Sequence, residues 1–320
     1  MHAPKFTLIL TAVAAALFLA FRFIGNDYLF FAGYTVLQYI VIATAWNILG
    51  GYCGYVNFGS AGFFAIGVYS TVFFYNVGQL FNFQLPIPVL MVIGGIVAGL
   101  VGLGMGYLTL RLRGVFFAIA TLALLVVIET FVVNWSFVGG SRGAYIIHSS
   151  EIPVLGVFIQ YLFLLMLILV VGSLVAARTI ERSRLGVGFA TIRDDELAAE
   201  ASGVPTLRLK LIATVVSGAL FGMAGAPFPY YIGYVEPNSA FNLAYSVNAI
   251  AMPMIGGTMT WVGPMVGALL LSTLQQIVTV TISSAANLLI TGLLLIGFVI
   301  LAPKGLIGLW QSFTRRGKAS

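Results

Sequence analysis

The charged side chains of this sequence are concentrated in one stretch, residues 178–210. Its 33 residues contain 11 of the 24 charged residues of the chain, which has 15 basic and 9 acidic residues. Six of the eleven are basic and five are acidic: Arg178, Arg182, Arg184, Arg193, Arg208 and Lys210, with Glu181, Asp194, Asp195, Glu196 and Glu200. Long apolar runs lie on both sides. The stretch is therefore predicted to be a water-exposed segment between membrane-embedded parts of the chain.

The spacing of residues within this stretch predicts a short capped helix. Asp194 is the predicted N-cap, because its carboxylate can accept a hydrogen bond from a free backbone N–H group. Asp195 and Glu196 follow in the first turn, where negative charge suits the helix dipole. Gly203 is placed to end the helix and Pro205 prevents it from resuming. Such a helix of about eight residues is roughly 12 Å long. It could fit a groove on a partner protein, or simply lie in a solvated loop that joins two membrane helices.

The composition describes a polytopic membrane protein. The sequence is 60% hydrophobic and 8% charged, whereas soluble domains carry about 25% charged residues. In such a chain the net charge of +6 is a signal of membrane topology rather than of nucleic-acid binding. The single cysteine, Cys53, excludes an intrachain disulfide and a multi-cysteine metal site. The two histidines, His2 and His148, lie far apart in the sequence, which argues against a histidine-based metal or catalytic cluster.

The sequence contains no motif of an enzyme. It has no phosphate-binding loop, no His-Glu-x-x-His zinc motif and no Gly-x-Ser-x-Gly nucleophile elbow. The chain is therefore expected to hold no metal or cofactor and to bind no ATP in the P-loop manner. Glu129 is the one acid within an apolar run, and its place near the outer end of that run favours an interfacial residue over an ion-coupling site. If the chain performs active transport, its energy must come from a partner.

Ten apolar runs approach the length of about 20 residues that a membrane-spanning helix needs, although some could be re-entrant or half-length. They are residues 6–24, 32–49, 58–77, 87–110, 114–133, 155–177, 208–231, 243–259, 261–282 and 285–302. The predicted fold is a single all-α transmembrane bundle, residues 1–320, of eight to ten helices. Residues 178–207 form a cytoplasmic loop within it.

The distribution of basic residues predicts the orientation of the bundle. With residues 178–210 in the cytoplasm and ten crossings, 13 of the 15 basic residues fall inside. Arg22 and Arg142 are the two outside. Because basic residues gather on the cytoplasmic side, both termini are predicted to be cytoplasmic.

Two glycine-rich breaks interrupt the apolar runs, at residues 50–62 and 256–264. Each begins Gly-Gly-x-x-x-aromatic-Val, which suggests a weak internal repeat. The predicted orientation places both breaks on the cytoplasmic side, so they do not fit a simple inverted repeat. Non-helical backbone at membrane depth occurs where it is buried in protein or lines a watery cavity.

Uncharged polar residues near these breaks could line a pathway for a small polar solute, or could hydrogen-bond neighbouring helices. The candidates for the pathway are Asn47, Asn57, Ser60 and Thr258. The largest outside connection, residues 134–153, contains the tight turn of Gly139, Gly140 and Arg142. It is either an ordinary surface loop or a docking point for an external partner.

Four stretches resemble the branched-chain amino acid permease family of ABC importers, the LivH/LivM group. They are the glycine-rich segment 51–64, the Gly-Gly-Ser-Arg-Gly loop 139–143, the Asp-Asp-Glu-Leu-Ala-Ala-Glu-Ala-Ser-Gly stretch within 192–203, and the Ala-Pro-Lys-Gly-Leu ending within 302–308. Val138 stands where the family loop has threonine. The length and the ending are closer to the LivM-type subunit.

This resemblance implies a multi-subunit importer in the bacterial inner membrane. Two permease subunits of the family would form the pathway within the lipid, two cytoplasmic ATPase subunits would bind ATP and magnesium, and a periplasmic binding protein would deliver the solute. The helix at 195–202 would be the coupling helix. The residues implied in contact with the ATPase are Asp194, Asp195, Glu196, Ala199, Glu200, Ala201 and Gly203. The 139–143 loop would dock the binding protein.

Nothing in the residues decides the solute, since the wider group includes permeases for urea, short amides and other amino acids. Two other classes of protein stay open. One is a solute channel that needs no ATPase, and the other is a secondary carrier that uses Glu129.

Overall fold

The computed structural model describes residues 3–147, 151–152, 156–281, 289, 292–293, 296–297 and 305–308. Within the continuous ranges up to residue 281 the chain is almost entirely helical. The helices are α1 (Ala3–Ile24), α2 (Asp27–Leu49), α3 (Ser60–Phe81), α4 (Ile87–Thr109), α5 (Val115–Val133), α6 (Phe158–Glu181), α7 (Arg184–Asp194), α8 (Glu196–Ala201), α9 (Thr206–Gly225), α10 (Phe228–Ile232), α11 (Pro237–Ala240), α12 (Leu243–Gly256) and α13 (Val262–Thr281). Four two-residue strands, β1 (Ala144–Tyr145), β2 (Glu151–Ile152), β3 (Gly156–Val157) and β4 (Tyr234–Val235), pair as β1–β4 and β2–β3.

The prediction of an all-α polytopic bundle is confirmed. Eight helices among the described residues are long and apolar enough to cross a membrane, with α9 and α10 counted as one span. Eight of the ten predicted runs coincide with them. The predicted run 285–302 lies mostly outside the described residues.

The remaining run, 243–259, forms a helix of half length. Helix α12 has 14 residues, or about 21 Å, which is less than the roughly 30 Å of a bilayer core. It begins where Asn242 accepts a hydrogen bond from the backbone N–H of Ala244, and it ends at Gly257 with a φ of 118°. The preceding residues Ala240 and Phe241 are buried. Non-helical chain is tolerated there because protein, rather than lipid, surrounds it.

Close glycine contacts hold the centre of the bundle together. Helix α9 packs against α4, α3 and α2. A Cβ atom placed at Gly67 would lie 2.0 Å from the carbonyl oxygen of Gly222, and one at Gly222 would lie 2.4 Å from the carbonyl oxygen of Gly94. Small residues allow helix backbones to approach closely, so these three positions set the spacing of α3, α4 and α9.

The loops fall into two groups, one at each end of the bundle. Arg113, before α5, forms an ion pair with Glu200 of α8. At the other end of α5, strand β1 pairs with β4, with Ala144 opposite Val235. This arrangement agrees with the predicted grouping of the loops. Which group faces the cytoplasm follows from the positive-inside rule and stays a prediction.

Candidate functional site

The charged stretch folds into two short helices that follow α6. Helix α7 begins where the side chain of Ser183 accepts a hydrogen bond from the backbone N–H of Leu185. It continues through Asp194, so the prediction that Asp194 caps the next helix is wrong. The N-cap of α8 is Asp195, whose Oδ1 accepts hydrogen bonds from Leu197 N at 2.9 Å and Ala198 N at 3.0 Å. Of the two adjacent aspartates, only Asp195 leaves the helical conformation, with φ −160° and ψ 106°.

The predicted glycine lies just after the end of α8, which is Ala201. Gly203 has a φ of +82°, a conformation that glycine adopts without steric cost. The backbone N–H of Val204 donates to the carbonyl oxygen of Ala199 at 3.0 Å, which satisfies one of the last free carbonyl groups. The helix has six residues, or about 9 Å, and is shorter than predicted.

The inner side of α8 is tied to the membrane bundle by Glu196. Its carboxylate forms an ion pair with Lys210 Nζ at 2.7 Å and a second with Arg113 Nε at 3.5 Å. It also accepts a hydrogen bond from the hydroxyl of Tyr55. Ala199, on the same helix, is buried. These contacts fix which face of α8 is turned toward the bundle.

Lys210 is the buried centre of this group, with 3% of its side chain exposed. Besides Glu196, its ammonium donates to the carbonyl oxygen of Leu110 at 2.9 Å and to the hydroxyl of Tyr55 at 3.0 Å. A buried charge is tolerated when it is paired and hydrogen-bonded. The group therefore joins four segments: the first glycine-rich break, the connection before α5, helix α8 and helix α9.

Glu200 makes a second, more exposed connection. Its carboxylate pairs with Arg113 at 3.0 Å and accepts a hydrogen bond from the hydroxyl of Thr206 at 2.9 Å. Arg113 thus contacts both acids of α8.

The pKa of the Glu196 carboxyl reflects these partners. Burial acts to raise its pKa, but the hydrogen bonds from Lys210 and Tyr55 and the positive charges of Lys210 and Arg113 outweigh it, so the pKa is lowered. Nearby, burial raises the pKa of the Cys53 thiol to about 12. At neutral pH Glu196 is therefore ionised and Cys53 is a neutral thiol.

The outer side of this region carries exposed apolar side chains. Leu197 of α8 is 64% exposed and Val187 of α7 is 66% exposed. Asp194, Ala201 and Gly203 are exposed as well. Leu197 is the large apolar side chain that α8 presents away from the bundle.

The predicted pathway residues fall into two places. Asn57 accepts a hydrogen bond from Gly59 N through its Oδ1 at 2.8 Å. Ser60 contacts the hydroxyl of Ser246 at 3.1 Å, and Ser246 also accepts a hydrogen bond from Ala61 N at 2.8 Å. Ser246 was not predicted from the sequence. All three side chains are buried. Asn57 bonds within its own turn, whereas Ser60 and Ser246 hydrogen-bond between two segments.

Asn47 and Thr258 lie together at a second place, beside Gly51. A Cβ atom at Gly51 would lie 2.0 Å from Asn47 Oδ1 and 2.8 Å from the carbonyl oxygen of Thr258. Asn47 is buried and Thr258 is half-buried. That any of the four predicted residues lines a pathway stays a prediction.

The glycine-rich outer loop is a tight turn, as predicted. Gly139 and Gly140 have φ angles of 95° and 53°. A Cβ atom at Gly143 would lie 2.5 Å from the carbonyl oxygen of Val235, so the loop is pressed against β4. The side chain of Arg142 is exposed. The docking role predicted for Gly139, Gly140 and Arg142 stays a prediction.

Comparison with known proteins identifies the family of the chain. The family model described as "Branched-chain amino acid transport system / permease component" matches residues 28–299. The chain belongs to this family. It is therefore a transport permease component rather than an enzyme.

Individual relatives agree with this assignment. The "High-affinity branched-chain amino acid transport system permease protein LivM" of Escherichia coli strain K12 is 28% identical over 302 residues, which cover 84% of this chain and 67% of that protein. The "Probable branched-chain amino acid transport permease protein LivH" of Methanocaldococcus jannaschii is 22% identical over 275 residues, covering 81% and 85%. The "Autoinducer 2 import system permease protein LsrC" of Enterobacter sp. strain 638 is 28% identical over 151 residues, covering 46% and 43%. No solved structure matches the chain.

Sequence reasoning did not find the partners of the acids in this permease. Lys210, Arg113 and Tyr55 were not identified as contacts of α8, because Arg113 and Tyr55 lie 83 and 141 residues away from Glu196 in the sequence. A signal existed at Lys210, one of two basic residues, with Arg208, in the first turns of an otherwise apolar span. A charge in such a position has a partner.

Proposed function

We propose that this chain is the permease subunit of an ATP-driven importer of branched-chain or related amino acids in the bacterial inner membrane. Two cytoplasmic ATPase subunits bind ATP and magnesium and supply the energy. A second permease subunit of the same family completes the pathway, and a periplasmic binding protein delivers the solute.

The observation that carries this proposal is the construction of α8. Its inner side is held by Glu196 and Glu200, which contact the first glycine-rich break, the connection before α5 and helix α9. Its outer side presents the exposed Leu197. A rigid helix fixed to the bundle on one side and apolar on the other can transmit a partner's movement into the membrane. We therefore assign α8 as the coupling helix.

The substrate class rests on the family description and on the LivM relatives. The interior offers uncharged polar groups, such as Ser60, Ser246 and Asn248, which are compatible with transient passage of a zwitterion. On this proposal the periplasmic binding protein supplies most of the selectivity.

The test is co-purification and uptake with a tagged chain co-expressed with candidate ATPase and second permease subunits. We expect the ATPases to co-purify in mild detergent, and reconstituted vesicles to concentrate leucine or valine only with ATP and the binding protein. Leu197→Arg should abolish ATPase recovery because it places a charge on the apolar contact. Leu197→Met is the matched control, since it keeps an apolar side chain of similar size.

Two results would contradict the proposal in different ways. Equal ATPase recovery with Leu197→Arg and Leu197→Met would remove α8 as the coupling helix. Transport by the chain alone, without ATPases, would favour a channel or a secondary carrier.

A further inference from the structure

The two glycine-rich breaks lie side by side. Each begins Gly-Gly-x-x-x-aromatic-Val, at residues 50–56 and 256–262. Gly51 in the first is so close to the backbone of Thr258 in the second that a Cβ atom at Gly51 would lie 2.8 Å from the Thr258 carbonyl oxygen. The breaks contain left-handed glycines, Gly54 with φ 82° and Gly257 with φ 118°. The similarity noticed in the sequence therefore marks two segments that meet at one end of the bundle.

Glu181, the last residue of α6, connects both breaks. Its Oε2 accepts a hydrogen bond from the backbone N–H of Trp261 at 2.7 Å and another from the hydroxyl of Tyr52 at 3.4 Å. The Trp261 ring packs edge-on against Phe6 with 4.8 Å between ring centroids. The carboxylate of Glu181, at the start of the charged stretch, thus connects the first break with the second.

Arg193, near the end of α7, connects the same two breaks again. Its Nη1 donates to the carbonyl oxygen of Gly51 at 3.5 Å and contacts Met259 Sδ at 3.0 Å. Its side chain also covers Gly54, where a Cβ atom would lie 3.0 Å from Arg193 Cγ.

Helix α8 adds a third contact, to the first break alone. The hydroxyl of Tyr55 donates to Glu196. The segment α6–α7–α8 therefore contacts the first break through Glu181, Arg193 and Glu196, and the second break through Glu181 and Arg193. A movement of this segment must either break these contacts or move both breaks with it.

We propose that the two glycine-rich breaks together close the transport pathway at the end of the bundle that carries α8, and that Glu181 and Arg193 are the positioning residues that hold this closure. The inference rests on the proposed function, because it assigns the movement of α8 to bound ATPase subunits. Glycine-rich backbone suits this role because it can change conformation at little steric cost, and hinges of this kind occur at element ends.

Cys53 reports directly on the state of this closure. It is the single cysteine of the chain, lies within the first break and is fully buried. Thiol reagents attack the exposed thiolate, so a maleimide reacts slowly while the breaks are closed.

The experiment uses the complete complex with its ATPase subunits in lipid vesicles. The rate of Cys53 modification by N-ethylmaleimide is read by mass spectrometry of this chain, alongside solute uptake and ATP hydrolysis. Glu181→Ala should accelerate modification by about tenfold, the size expected when hydrogen bonds to a charged acceptor no longer hold a closed state. Uptake per ATP hydrolysed should fall while hydrolysis continues.

Two control variants distinguish loss of the contacts made by Glu181 from a general loss of folding. Glu181→Gln should react at a rate between those of the wild type and Glu181→Ala, because the amide oxygen still accepts the Trp261 N–H but carries no charge. Arg182→Ala removes a charge from the next residue, whose side chain is exposed, and should change none of the three readouts.

Unchanged modification and unchanged uptake per ATP in Glu181→Ala would overturn the proposal. If that variant does not assemble, the wild-type complex provides the test. Equal rates of Cys53 modification without nucleotide and with ATP trapped by vanadate would overturn the proposal. A several-fold difference between the two rates would support it. Failure of the proposed function is a separate result, since no ATPase subunit would then be recovered.

Discussion

At the scale of single residues, Glu196 and Lys210 determine how the charged stretch meets the membrane bundle. The pair is 2.7 Å apart, and the side chains are 13% and 3% exposed. Exposed ion pairs contribute little to stability, whereas removing one partner of a buried pair leaves an uncompensated charge. The contribution of Glu196 should therefore be measurable and should depend on pH.

We expect Glu196→Gln to lower the thermal midpoint at pH 7, with a loss of roughly 3 kcal/mol in the free energy of unfolding. The folded-state pKa of Glu196 lies below its ordinary value of 4.5. Its stabilisation is thus present above about pH 4.5 and is lost as the pH falls through the lowered folded-state pKa. The gap between variant and wild type should shrink as the pH falls below that value.

Thermal unfolding in detergent at several pH values measures this gap. Asp194→Asn is the matched control, because Asp194 also pairs with an arginine but its side chain is 73% exposed. It should change the midpoint little at any pH. A Glu196→Gln effect as small as that of the control would contradict the assigned role of the pair.

At the scale of elements, the packing of α3 against α9 depends on the absence of side chains. Gly67→Ala would place a Cβ atom 2.0 Å from a backbone carbonyl oxygen of α9. Backbone cannot move aside as a flexible side chain can, so we expect a loss of about 1–3 kcal/mol from overpacking. The measurement is again the thermal midpoint in detergent.

Gly104→Ala is the control for this prediction. It lies in α4 with open space around the added atom, and replacing glycine by alanine inside a helix is favourable by up to about 1 kcal/mol. Its midpoint should stay the same or rise. Equal effects of the two substitutions would show that helix propensity, rather than close approach of α3 and α9, governs these glycines.

At the scale of the whole molecule, the charged stretch and the glycine-rich outer loop are expected on opposite sides of the membrane. In a Cys53→Ala background, Arg142→Cys should react with a membrane-impermeant maleimide in intact cells. Arg182→Cys should react only after the membrane is opened, because basic residues are retained on the cytoplasmic side. If Arg182→Cys reacted in intact cells and Arg142→Cys did not, the predicted orientation would be wrong, and α8 would lie where no ATPase could reach it.

The helices of this protein could be predicted from its amino-acid sequence, because local composition controls them. Apolar runs of sufficient length must become helices in a membrane, and eight of them did. The water-exposed segment 178–210 and the end of the short helix near Gly203 could be predicted for the same reason. The N-cap of α8 was predicted one residue too early, at Asp194 instead of Asp195, because both residues have the same side chain. Which of the two leaves the helix depends on how far α7 continues.

The contacts between distant segments became visible in the folded protein alone. Tyr55 and Arg113 reach Glu196 from parts of the chain far from α8, and Glu181 reaches two breaks about 200 residues apart. No local pattern encodes such pairs, since each depends on the packing of several helices at once. The repeated Gly-Gly-x-x-x-aromatic-Val pattern was visible in the sequence. Its meaning appeared only when the fold placed Gly51 against Thr258, where a side chain at Gly51 would collide with the opposing backbone.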